Sequence, residues 1–189
     1  MNNSDHIYSN LDLKKLLIPI IVEQLLSCLM GTVDTMMVSN VGSAAISAVS
    51  LVDSINVLVI QALSALAAGG AILCSQYLGS HNEKSANHAA RQVLLVMAVL
   101  STALSLLCLL FRVPLLHFIF GKVEADVMAN SQSYFLFTLL SFPFIGLYDA
   151  GASIMRAQND SRRPMIISVI SNFLNIGGNA ILILSLIHI

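Results

Sequence analysis

LLIPIIVEQLLSCLMGTVDTMMVSN, residues Leu16 to Asn40, is long and apolar enough to cross a bilayer, yet it carries two carboxylic acids, Glu23 and Asp34. An ionisable group inside hydrocarbon costs about 2.5–3.5 kcal/mol on insertion scales, so it is rarely accidental. The two acids lie eleven residues apart. Eleven steps of about 100° bring a helix back to within about 20° of its starting face. Ser27, Met30 and Met37 fall on the same stripe, and Gln24 sits beside it as a further cavity-lining candidate. An acidic face of this kind points at other protein or at a water-filled cavity, not at lipid. Pro19, one turn before Glu23, removes a backbone hydrogen bond and predicts a hinge there.

The rest of the chain shares this character. Of its 189 residues 57% are hydrophobic and only 10% charged, against about 25% charged in a soluble domain. Mean hydropathy is +0.83. These values specify an all-α integral membrane protein. A net charge of −1 leaves no basic field for nucleic acid. Cys28, Cys74 and Cys108 fit neither a zinc spacing nor a disulfide framework and read as small packing residues. No nucleophile–base set, metal cluster or phosphate loop is visible, so an enzyme is not expected and no cofactor is implied.

Five apolar spans can be drawn at about 20 residues per crossing. They are Leu16–Val38, a long one within Ala44–Leu78, Val93–Phe111, about Ser131–Ala152 with Pro143 inside it, and one beginning at Pro164. Residues 1–13 form a tail, and GSHNEKSANHAAR, between spans two and three, is expected as a loop carrying solvated His81 and His88. The short apolar segment Pro114 to Gly121 predicts a helix lying at the membrane surface. Seven of the nine lysines and arginines (Lys14, Lys15, Lys84, Arg91, Arg156, Arg162, Arg163) fall on the side of the N-terminus, and only Arg112 and Lys122 on the other. Under the positive-inside rule the N-terminus is cytoplasmic and the chain is a multi-pass protein of the plasma membrane.

Two more polar stripes accompany the first. Asp53, Asn56 and Ser64 share one face of span two, which then becomes small-sided, with Ala65 and Gly69 spaced for close helix approach. Asp149, near the inner end of span four, could pair with Arg156 or an N-terminal lysine. Ser168, Asn172, Asn175 and Asn179 line one face of span five. Those amides serve either as glue between helices or as a cavity wall opposite the Glu23/Asp34 stripe. The chain stops in mid-helix, and its last six residues, LSLIHI, resemble the translation of a transposase adapter used in sequencing libraries. A fragment with a non-native tail at 184–189 is therefore expected.

Three stretches carry a resemblance: GTVDTMMVSNVGSAAISAVSL with the preceding proline, GGAILCSQYLG, and MRAQNDSRRPM followed by NFLNIGGNAILI. In this order and at these spacings they resemble the multidrug and toxic compound extrusion (MATE) family, over about Leu16 to Ile183. The resemblance implies a polytopic bundle of twelve helices in two pseudo-symmetric six-helix lobes. Residues 14–183 would supply transmembrane helices one to five of the N-lobe, and the C-terminal lobe would be a missing partner. It also implies export of cationic amphipathic compounds in exchange for protons or sodium. The family's coupling aspartate falls on Asp34, with polar partners at Asn175 and Asn179. Asn179 departs from the aspartate many members carry there, and an amide cannot take up and release a proton.

Two rivals stand beside antiport. A lipid-linked oligosaccharide flippase of the same superfamily would favour a cationic cavity, whereas the intramembrane charges here are acidic. A non-transporting membrane scaffold would use Glu23, Asp34 and Asp53 as glue between helices, with lipid and a neighbouring helix as its partners.

Overall fold

The computed structural model describes residues 10–38 and 42–187, all of which are helix, turn or short connection. Six helices follow in order: α1 (Asn10–Val38), α2 (Ser43–Gly79), α3 (Glu83–Leu110), α4 (Arg112–Phe120), α5 (Ala125–Ala157) and α6 (Arg162–Ile187). Among the described residues four helices are long and apolar enough to cross a membrane: α1, α2, α3 and α5. The α6 helix, at 26 residues, is the fifth long one. The chain is thus an all-α membrane bundle. Its helices group into two compact units, α2 to α5 in one and α1 with α6 in the other.

Two expectations change in the connections. GSHNEKSANHAAR is not a loop. Only a tight turn at 80–82 separates α2 from α3, and the polar segment after it is already helical. The Asn82 side chain accepts from the Ser85 amide at 3.1 Å and so caps α3, while Glu83 sits in the first turn where the helix dipole favours an acid. His81 takes a left-handed conformation (φ 57°) inside the turn, and His88 lies exposed on α3. The start of α6 likewise comes two residues before Pro164. The Asp160 carboxylate accepts from the amides of Arg162 and Arg163, both at 3.2 Å. The short α4 helix forms as expected, with Leu116 fully buried, and Gly121 ends it with a positive φ of 62°.

The main apolar core of the α2–α5 unit is built from Val52, Leu63 and Ala67 of α2, Met97 of α3, Leu116 of α4, and Phe135, Leu139 and Phe142 of α5, and a smaller cluster joins Cys74, Ala89 and Ile154. Close approach is set by glycine, but not where spacing alone placed it. Nothing lies within 4 Å of a Cβ added to Gly69, and Ala65 is exposed. The buried small face lies two residues further on, at Ala67, Ala71 and Cys74, and a Cβ on Gly70, one residue beyond Gly69, would meet Val93 Cγ2 at 2.5 Å. One residue turns a helix by about 100°, enough to move a stripe from one neighbour to another. On α5 a Cβ at Gly146 would meet Ser101 Cβ at 2.6 Å, so α3 and α5 touch there through glycine alone. Cys74 is buried as a packing residue, Cys108 is half-buried, and Cys28 is exposed.

Pro143 lies inside α5. Its ring nitrogen cannot donate, so the carbonyl four residues earlier, that of Leu139, loses its helical partner. Ser105 of α3 replaces it: its buried hydroxyl donates to the Leu139 carbonyl at 2.6 Å. Breaks in a membrane helix persist where a neighbour re-satisfies the freed backbone group in this way. The serine fixes the register of α3 on α5.

Candidate functional site

Polar side chains gather on the seam between α2 and α5. Asp53 and Asn56 are one turn apart on α2, and the Asn56 Nδ2 donates to Asp53 Oδ1 at 3.2 Å. The same carboxylate oxygen accepts from the Tyr134 hydroxyl of α5 at 3.1 Å. Eleven residues further along α2, the Ser64 hydroxyl donates to Asp149 Oδ2 of α5 at 2.5 Å. Both bonds join the helices in the same chain order, so α2 and α5 run parallel.

The seam keeps unused polar capacity. Asn56 Oδ1 and Ser131 Oγ are buried without a hydrogen-bond partner, and their residues are 8% and 1% exposed. Ser131 lies one turn before Tyr134 on α5, and Asn56 one turn after Asp53 on α2. Apolar core surrounds them: Val52 and Ile55 on α2, Met128 and Phe135 on α5. Both oxygens are free to accept a hydrogen bond from water or another donor.

The face Asp53, Asn56 and Ser64 was legible in the sequence. Its partners were not. Tyr134 carries no sign in the periodicity of α5, and Asp149 turns to Ser64, a partner the spacing did not suggest. A tyrosine one turn from a serine on a proline-containing span is the trace that could have drawn attention to it.

The other stripes belong to the unit of α1 and α6. Glu23 is buried, at 9% exposure, and Pro19 is also buried, whereas Gln24 is exposed. Ser27 is taken up by its own helix, donating to the Glu23 carbonyl at 3.1 Å. Met30 and Met37 are half-buried. On α6, Ser168 and Asn172 are half-buried and Asn175 is exposed, and the Asn172 Nδ2 is buried with no hydrogen-bond partner. The side chains of Asp34 and Asn179 lie outside the described residues.

Comparison with known proteins gives these helices their context. The chain is 30% identical over 169 residues to the uncharacterized transporter YisQ of Bacillus subtilis, covering 89% of this chain and 36% of that protein. It is 26% identical over 165 residues to the probable multidrug resistance protein NorM of Thermotoga maritima, covering 87% of this chain and 35% of that one. The chain therefore spans a little over a third of the length of these relatives. Its fold is similar to an outward-facing conformation of a multidrug resistance MATE family transporter of the MOP superfamily, with a TM-score of 0.86 at 21% identity, covering 93% of this chain and 38% of that one. The MatE family model matches residues 19–181. The chain belongs to the MatE family, the multidrug and toxic compound extrusion transporters its motifs resemble.

Proposed function

We propose that the chain is the N-terminal lobe of a secondary active exporter, which moves cationic amphipathic compounds out of the cell against inward flow of protons or sodium. The observation that carries the reading is the α2–α5 seam. Two intramembrane acids, Asp53 and Asp149, are each held by a hydroxyl of the facing helix. Fixed negative charge inside the bilayer suits cationic cargo, and a bundle that only needed adhesion could achieve it with apolar side chains.

In this reading Asp34 carries the coupling ion. Its charge is costly away from water, and proton uptake from the outer medium removes that charge. Loss of the charge releases a bound cation and leaves Asn172, Asn175 and Asn179 to exchange hydrogen-bond partners. Pro19 supplies the bend by which α1 closes the space that Glu23 and Gln24 line. Only a difference in affinity between inward- and outward-facing states can drive such a cycle. The N-terminus is cytoplasmic, the membrane is the plasma membrane, and a second lobe completes the cavity.

The test is Asp34→Asn in the complete reading frame. It removes the titratable group and keeps the shape, so resistance to cationic dyes should disappear at unchanged membrane expression. Full resistance in that variant would overturn the assignment.

A further inference from the structure

Two cavities open on the face shared by α2 and α3, away from the α2–α5 seam. The first, of about 230 Å³, is apolar and runs between the helices past Leu66, Gly70 and Leu73 on one side and Val93, Val96 and Leu100 on the other. The second, of about 320 Å³, lies beyond it toward the turn at 80–82 and is lined by Tyr77, Lys84, Ser85 and His88. Ala89 and Gln92 border both. The two adjoin at those residues, an apolar length beside a polar, basic head, and are taken together as one groove.

Its dimensions follow from the helix. Ala89 to Leu100 is eleven residues, or about 16 Å of α3 at 1.5 Å per residue. One leaflet of the hydrocarbon core is about 15 Å deep, half of its full thickness of about 30 Å. The basic head thus falls where a headgroup region begins and the apolar part ends near the midplane. The head offers Lys84 as a cation and Tyr77, Ser85 and His88 as further donors, with no acid among its lining residues. The groove exists because Gly70 lets α2 and α3 converge on Val93, which leaves a furrow beside the contact.

We infer that this groove is a binding site for an anionic phospholipid, with its phosphate against Lys84, Ser85 and His88 and one acyl chain laid between Leu66, Leu73, Val96 and Leu100. A phosphate supplies the negative charge and acceptor oxygens the head lacks, and an acyl chain matches the apolar length in both depth and polarity. A water-soluble anion would leave the furrow unused. The inference stands on the membrane fold and is independent of the export proposed above.

The chain purified in mild detergent is incubated with palmitoyl-oleoyl phosphatidylglycerol or the matching phosphatidylcholine, and the lipid retained is read by native mass spectrometry. Phosphatidylglycerol should be retained at least about fivefold better, the factor one basic group contributes beside an anionic headgroup. Lys84→Glu should abolish the preference, and Lys84→Gln should reduce it with the helices undisturbed, since the residue is exposed. Lys122→Glu, on a basic residue outside the groove, should leave it intact. Gln92→Trp, at the junction of the two cavities, should lower retention of both lipids. Excess inorganic phosphate should leave the lipid bound. Equal retention of the two lipids, an equal loss in Lys122→Glu, or displacement by inorganic phosphate would each overturn the site.

Discussion

Two helices of this protein carry an internal proline, and they are built differently around it. In α5 the gap left by Pro143 is closed by Ser105 of α3, the next turn touches Ser101 through Gly146, and a third of the helix's most apolar window is buried, 33%. In α1 Pro19 is itself buried, yet only 11% of the corresponding window is, and Leu17, Ile18, Ile21, Leu25 and Leu29 are exposed. A proline whose freed carbonyl is taken by a neighbouring helix is a locked bend. A proline in a helix with little packing is where a bend can open and close at low cost. The α5 helix is braced as a frame, and α1 is the helix proposed to move.

The sharpest way to break this contrast is steric. Gly146→Val would drive α5 off α3 at Ser101 and should cost about 3 kcal/mol, the upper part of the overpacking range, read as a lost thermal transition in detergent. Gly31→Val in α1, where nothing lies within 4 Å of the added carbon, should cost nothing, since valine is a better helix former than glycine. Equal losses would remove the distinction between the two helices. A smaller effect isolates the proline itself. Ser105→Ala should cost about 1–2 kcal/mol by leaving the Leu139 carbonyl buried and unpaired. In a Pro143→Ala background, where the helix supplies its own donor, the same change should cost much less. A serine whose loss costs as much in both backgrounds is not bracing the proline. The smallest effect belongs to the polar seam. Tyr134→Phe should cost about 0.6 kcal/mol, the average for hydrogen bonds between membrane helices, and Asp53→Ala, which removes the acceptor, should cancel that difference in a double-mutant cycle.

The architecture is largely legible in the sequence, because twenty-residue apolar runs and the resemblance in three motifs leave little choice of fold. The face of Asp53, Asn56 and Ser64 was legible for the same reason that any helix stripe is: its period is set by the chain itself. What faces that stripe is set by the register between helices, which no single helix encodes, so Tyr134 and the Ser64–Asp149 bond stayed hidden. Choosing Ala65 and Gly69 over Gly70 was an error of one residue, and only the position of Val93 resolves it. The early start of α3 was missed for a different reason. Its first turns are polar, and hydropathy saw a loop where the Asn82 cap and Glu83 already announced a helix.

In the export proposed above, a braced helix and a bending one would assign separate tasks to the acids. Asp53 and Asp149 are tied into the frame by named donors. Asp34 and Glu23 lie on the helix proposed to move, where a change of charge can be turned into a change of shape. Proteoliposomes holding the complete transporter, with an internal pH or sodium indicator, test this most directly. The account predicts that adding a cationic dye drives proton or sodium movement in the wild type and in Tyr134→Phe, and none in Asp34→Asn. Undiminished dye-driven flux in Asp34→Asn, or no flux in the wild type, would contradict it.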